Sequence, residues 1–184
     1  MPQDIISIIF VIVVAILIII GAIIIIMFFS LNLSYSQTGV PFVKSKKSII
    51  KKIKELNILK PNTVFCDLGS GDGAFLYDLA KEFPEVKFVG YEKNFLLHLF
   101  AKIFNRLPNL KFYQADFFKI DLSRFDYFYL FLFRSALEKL EPKLKKEAKK
   151  STYIISNTFT FKNLTPIKVL ESSKELETLY IYQL

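Results

Sequence analysis

The chain has 184 residues, a net charge of +8, 52% hydrophobic residues and a single cysteine, Cys66. That length accommodates one ordinary domain once an apolar leader is set aside. One cysteine excludes an intramolecular disulfide and a cysteine-based zinc site, and the lone His98 sits in an apolar segment, so no metal is expected.

Residues 5–29 are almost unbroken Ile, Val, Leu, Phe and Met, with Ser7 and Gly21 as weak interruptions. About 20 apolar residues span a bilayer as a helix, which predicts an N-terminal transmembrane anchor over residues 1–29. A secretory signal would need a basic start, a shorter apolar core and a small-residue cleavage site. Met1-Pro2-Gln3-Asp4 carries no cation. Lys44, Lys46, Lys47, Lys51, Lys52 and Lys54 follow the span. The positive-inside rule then predicts a single-pass protein with its N-terminus outside and its domain cytoplasmic, the lipid bilayer being a partner through residues 5–29.

Residues 30–43 read as a polar linker, with Gly39-Val40-Pro41 near its end, and residues 44–184 as the domain. Residues 46–56 are expected to form a helix with Ile49, Ile50, Ile53 and Leu56 on one face. Its lysines should attract anionic lipid at roughly 1 kcal/mol each when close to the surface.

Val64-Phe65-Cys66-Asp67-Leu68 reads as a buried strand, Gly69-Ser70-Gly71-Asp72-Gly73 as a tight loop, and residues 74–83 as a helix. Glycines permit positive φ and close approach of a ligand to the main chain. A P-loop would end in Gly-Lys-Ser/Thr, and a dinucleotide fingerprint reads G-x-G-x-x-G. Here the spacing is G-x-G-x-G, and Asp67 and Asp72 bring negative charge that repels a pyrophosphate and suits a ligand carrying an ammonium and a sulfonium. The segment D-L-G-S-G-D-G resembles motif I of class I S-adenosylmethionine (AdoMet) methyltransferases.

Residues 87–92 read as a second strand ending at Glu92, placed to accept hydrogen bonds from both ribose hydroxyls. Asn94 follows at once. Residues 110–118 contain a third strand ending at Asp116. The resemblance implies that an acid there meets the adenine amino group, with Phe117 on the ring face. The apolar run 125–133 is expected to be a central parallel strand covered on both faces. A charged helix over 136–150, a fifth strand over 152–156 and a closing hairpin of 167–170 with 179–182 complete the alternation. The class I order 3-2-1-4-5-7-6 follows from the resemblance. The fold class is therefore α/β: a Rossmann-like, mostly parallel sheet with helices on both faces, preceded by one transmembrane helix.

From about Gly39 onward the chain resembles a family of small membrane-anchored protein-lysine methyltransferases. Mitochondrial members modify the adenine nucleotide translocase and the c subunit of ATP synthase. Pro41-Phe42-Val43-Lys44-Ser45 resembles the family's pre-motif, with Lys44 where proline is usual. Gly90-Tyr91-Glu92-Lys93-Asn94 resembles its G-Y/I-E-x-N strand end. Leu130-Phe131-Leu132-Phe133-Arg134, leading into Glu138-Lys139-Leu140-Glu141-Pro142-Lys143-Leu144, resembles Y-L-L-P followed by E-K-L-x-P-K-L. Phe131 stands for a usual tyrosine and Arg134 for a usual proline.

The resemblance implies AdoMet as cofactor, held by Asp67, Gly69, Ser70, Gly71, Asp72, Gly73, Glu92, Asn94, Asp116 and Phe117. It implies a membrane-protein substrate with an acceptor lysine, and substrate-side residues Pro41, Phe42, Phe131 and Asn157. No catalytic base stands out. Two other readings stay open: a methyltransferase of a lipid, quinone or RNA, and a non-catalytic AdoMet-binding membrane protein. The tether to the bilayer argues against a ribosomal nucleic-acid target.

Overall fold

A computed structural model describes the backbone of residues 3–38, 47–172 and 177–184, and the side chains of 5–26, 48–172 and 177–184. The chain divides into two units, Met1–Phe42 and Val43–Leu184. In the first, helix α1 runs over Gln3–Thr38. Within it, Ile5–Ile26 is apolar and long enough to cross a membrane, and none of it is buried. At 1.5 Å per residue its 22 residues reach about 33 Å, against a hydrocarbon core of about 30 Å. The helix continues nine residues beyond Phe29, into the stretch read as linker. Ser30, Asn32 and Ser34 are polar but not helix-ending, and no Gly or Pro occurs between Gly21 and Gly39.

In the second unit, α2 (Lys47–Leu56) lays Ile49, Ile53 and Leu56 into the core, the helical spacing seen in the sequence. Seven strands form one sheet in the order β3-β2-β1-β4-β5-β7-β6, as the resemblance implies. The strands are β1 (Val64–Leu68), β2 (Lys87–Glu92), β3 (Leu110–Gln114), β4 (Tyr127–Leu130), β5 (Tyr153–Asn157), β6 (Lys168–Leu170) and β7 (Leu179–Gln183). Strands β1 to β5 pair in parallel, and β7 runs antiparallel to both β5 and β6. Helices α3 (Ala74–Glu82), α4 (Phe95–Phe104) and α5 (Arg134–Glu147) connect them.

Strand side chains alternate between faces. Phe65 and Phe88 meet α2 and α3 on one side, packed with Ile49, Ile53, Leu76 and Leu79. Cys66, Leu68 and Phe128 meet Leu137, Leu140 and Leu144 of α5 on the other. Cys66 is a core residue. The apolar run 125–133 yields only four strand residues. Phe125 and Leu132 are buried from the flanking loops, so continuous apolarity marks burial there and not strand length.

The lysines of α2 are less free than the sequence suggests. Lys52 Nζ donates to the backbone carbonyls of Glu177 (2.7 Å) and Glu171 (3.3 Å), and Lys54 pairs with Glu82. Lys51 is the most exposed of these three, 3.9 Å from Glu55. Lys44 and Lys46 lie outside the described residues.

Candidate functional site

The loop after β1 turns through three left-handed glycines: Gly69 (φ 93), Gly71 (φ 56) and Gly73 (φ 76). L-residues other than glycine are strained in that conformation. At Gly73 space is denied as well, since a Cβ would lie 2.5 Å from Phe112 Cζ and 2.8 Å from Ala101 Cβ. Gly90 on β2 plays the matching part. A Cβ there would sit 2.7 Å from Ser70 Oγ, so the loop closes on the strand because Gly90 has none.

Backbone hydrogen bonds fix this closure. The N–H groups of Gly69 and Ser70 both donate to the Tyr91 carbonyl, at 2.8 and 3.0 Å. Glu92 then holds the loop by its side chain. Its Oε2 accepts from Gly71 N at 2.9 Å and its Oε1 from Asn94 N at 2.7 Å. A carboxylate has about four acceptor sites, and the backbone N–H groups of Gly71, Asn94 and Lys93 are its donors, so capacity remains for a ligand hydroxyl. Asp72 Oδ1 accepts from Ala74 N (3.2 Å) at the start of α3, and its carbonyl accepts from Asn105 Nδ2 (2.7 Å). Asn94 Oδ1 caps α4 by accepting from Leu96 N and Leu97 N.

The electrostatics of the two strand ends are coupled. Burial, and secondly the neighbouring Glu92 charge, push the Asp67 carboxyl up to about 8. Burial also raises Glu92, opposed by the N–H donors of Asn94 and Gly71. A cationic ligand at this edge would relieve a carboxylate pair that the fold itself keeps partly protonated.

The Ala115 N–H donates to the Glu92 carbonyl at 3.1 Å, bringing the β3 end beside the β2 end. Asp116 follows at once. Its Oδ1 accepts from Phe118 N (3.0 Å), its Oδ2 lies 3.5 Å from Lys93 Nζ, and it begins a short 3-10 turn over Phe117–Lys119. Phe117 is half-buried there, its ring centroid 4.6 Å from that of Phe118. All the residues expected to hold the cofactor thus lie in the loop after β1 or at the carboxyl ends of β1, β2 and β3.

The substrate-side residues are more scattered. Pro41 and Phe42 lie outside the described residues. Phe131 is half-buried in the segment between β4 and α5. Asn157, at the end of β5, is fully buried and donates from Nδ2 to Tyr129 OH at 3.1 Å. The Tyr129 ring in turn packs on Phe75, 4.3 Å between centroids. Next to Asn157, Thr158 takes a left-handed φ of 69 and its N–H donates to the Thr178 carbonyl. Sequence reasoning missed Tyr129 and Asn105. An asparagine closing an apolar helix was the one signal for Asn105; Tyr129 is hidden in a continuous apolar and aromatic run.

The glycine cradle, the spare acceptor capacity of Glu92 and the raised carboxyl of Asp67 fit a nucleoside bearing positive charge. Among the described residues, no group of three or more His, Cys, Asp or Glu is placed to hold a metal ion.

Comparison with known proteins gives these features a context. A model of the ANTKMT methyltransferase domain matches residues 67–168. A protein-lysine N-methyltransferase of Saccharolobus islandicus (strain REY15A) is 29% identical over 154 residues, covering 78% of this chain and 92% of its own. A lysine N-methyltransferase of the ATP synthase c-subunit, from Xenopus laevis, is 27% identical over 150 residues, covering 79% of this chain and 64% of its own. Among solved structures, an RNA methyltransferase from Salinibacter ruber with S-adenosyl-L-homocysteine superposes with a TM-score of 0.70 at 26% identity, over 77% of this chain and 93% of that one. A SAM-dependent methyltransferase from Aquifex aeolicus shares the fold, with a TM-score of 0.56 at 18% identity over 73% of this chain and 88% of that one.

Proposed function

Because the chain belongs to the ANTKMT methyltransferase domain family, we propose that it is an AdoMet-dependent protein-lysine N-methyltransferase that acts on a membrane protein, from a domain tethered by residues 5–26. The observation that carries the lysine reading is the family match over residues 67–168 together with two relatives named as lysine N-methyltransferases. The apolar helix supports the tether, and the cations after it support a cytoplasmic domain.

Bound AdoMet supplies a methyl group activated by a sulfonium. The residues of this chain hold and orient. Gly69, Gly71 and Gly73 let the ligand approach the loop backbone, with Ser70 between them. Glu92 accepts from the ribose hydroxyls while Asn94 and Gly71 keep its carboxylate aimed. Asp116 takes the adenine amino group, and Phe117 covers the ring face. Asp67 and Asp72 favour the positive end of the ligand.

The acceptor lysine must arrive neutral, because only the free amine attacks. An apolar, aromatic surrounding disfavours the ammonium and lowers its pKa. Phe131, the Tyr129–Asn157 pair, Pro41 and Phe42 are the groups assigned to that side. Holding amine and methyl in line supplies the rate, and no general base is required once the lysine is neutral.

The +8 charge and the Salinibacter neighbour favour RNA as the second reading. Incubating membranes that contain the full chain with methyl-labelled AdoMet separates the readings. Label in a protein band that hydrolyses to methyl-lysine is the expected result. Label in the lipid extract or in nucleic acid would replace the acceptor class. Label nowhere, with the cofactor still bound, would make the chain a binding protein. Deleting residues 1–29 should leave AdoMet affinity unchanged and sharply reduce methylation of the membrane-embedded target.

A further inference from the structure

The outward face of α4 is built backwards for a helix on a water-exposed domain. On α5 the exposed positions are, apart from Pro142, charged or polar: Arg134, Ser135, Glu138, Lys139, Lys145 and Lys146, with Leu137, Leu140 and Leu144 turned inward. On α4 only Ala101 is fully buried. Phe95, Leu99 and Ile103, spaced by four and so on one stripe, are 56, 38 and 45% exposed, and Phe104 is 68% exposed. Outside residues 5–26, eight large apolar side chains are exposed among the described residues, and four of them are on this one helix.

Charge identifies what covers the stripe. Between Glu92 and Asp116 there is no acidic residue, and there are four cations: Lys93, Lys102, Arg106 and Lys111. Lys102 and Arg106 are exposed, Lys102 on the same face as Phe95 and Leu99 by helical spacing and Arg106 just past the end of the helix. An apolar helical face that carries cations is the pattern of a helix lying in the boundary layer of an anionic bilayer. A protein partner would have to meet these cations with carboxylates; phospholipid headgroups meet them with phosphates.

We propose that α4 is a second membrane contact, resting its Phe95–Leu99–Ile103 stripe in the headgroup layer of an anionic bilayer. The proposal rests on reading residues 5–26 as a membrane span. Two contacts, one spanning and one lying flat, would restrict how the domain turns on its tether. The carboxyl end of β2, three residues before the start of α4, would then be held close to the membrane surface.

The test uses the full chain in vesicles of phosphatidylcholine with and without phosphatidylglycerol. Single variants Leu99→Cys, Ile16→Cys and Lys139→Cys carry an environment-sensitive fluorophore. Cys66 does not compete, being fully buried. Nitroxide lipids with the spin label near the headgroup should quench the Leu99 label several-fold more than the Lys139 label. The quenching should grow with phosphatidylglycerol and fall in a Lys102→Glu/Arg106→Glu background. Nitroxides deep in the acyl region should quench the Ile16 label. If Ile16 is quenched while Leu99 behaves like Lys139, the span stands and the α4 contact is overturned. If the Leu99 label is shielded from aqueous iodide yet insensitive to nitroxide lipids, protein covers the stripe and the proposal is wrong. An Ile16 label insensitive to lipid overturns the span and the proposal with it.

Discussion

At the carboxyl ends of β1 and β2, carboxylates and left-handed glycines are bound together by main-chain hydrogen bonds. At the carboxyl ends of β4 and β5, the groups described above are aromatic rings and one buried amide. The two regions are neighbours in one sheet, since β1 pairs directly with β4. Under the proposed function their tasks differ as well. A cationic nucleoside needs negative charge and an approachable backbone. A lysine amine needs the opposite, a place where its own charge is unwelcome.

The sharpest way to break the first region is at Gly73. Gly73→Ala must hold a left-handed φ, costing about 1–2 kcal/mol, and force Phe112 and Ala101 apart, costing about 1–3 kcal/mol more. Thermal unfolding should show a marked loss of stability, and AdoMet binding should fall with it. A variant as stable as the parent would mean that the loop has room the structure denies.

Glu92→Ala is next. Charge-assisted hydrogen bonds contribute about 1.5–3 kcal/mol each, so cofactor affinity should drop at least tenfold. Calorimetry on the folded variant checks this. Because Glu92 also holds Gly71 N and Asn94 N, Glu92→Gln should recover part of the loop geometry and less of the affinity.

Asn157→Ala addresses the other region. It removes the buried hydrogen bond from Asn157 Nδ2 to Tyr129 OH, costing about 0.5–1.5 kcal/mol of stability. It should lower turnover while the AdoMet dissociation constant stays within about twofold, because the change touches no group on the β1–β3 side. A parallel loss of cofactor affinity would erase the division between the two regions.

The smallest effect is a pH dependence. Asp67 has a folded pKa of about 8 against an unfolded carboxyl near 4. The folded chain therefore binds this proton more tightly. The stability it contributes is present below pH about 4 and is lost as pH rises from about 4 to 8. AdoMet should favour the ionised carboxylate, so cofactor affinity should rise up to pH about 8 and level off, with proton release on binding below that. Asp67→Asn should flatten the profile. A dissociation constant in the parent that is flat between pH 6 and 9 would place the cation away from Asp67.

Much of this is readable in the residues alone. The glycine spacing, the acid closing β2 and the acid Asp116 mark the cofactor edge, although β3 ends at Gln114, two residues short of the expected Asp116, which caps the 3-10 turn instead. Ile49, Ile53 and Leu56 announce the buried face of α2 by period alone. What escapes depends on distant partners. The raised Asp67 carboxyl comes from burial and from Glu92, 25 positions away. Lys52 and Lys54 read as free cations until the carbonyls of Glu171 and Glu177 and the Glu82 side chain appear beside them. The extent of β4 is overread because loops flanking a central strand are buried too. The outward face of α4 is overlooked since an apolar helix in sequence suggests a core helix, and exposure is not written in the residues themselves.

The place of β7 has a consequence for how the protein comes into being. It lies between β5 and β6, so β6 has no other partner and β5 has an open edge until β7 arrives. During synthesis at about 5–20 residues per second, the apolar N-terminal helix leaves the ribosome first and the sheet cannot close until residues 179–183 have followed. From the emergence of β5 (Tyr153–Asn157) until that of β7 (Leu179–Gln183), the nascent domain is an incomplete sheet with an open β5 edge, a surface prone to unwanted pairing. If the apolar segment is the membrane span proposed above, its early targeting would carry that unfinished sheet to the membrane, making the bilayer surface the site of folding.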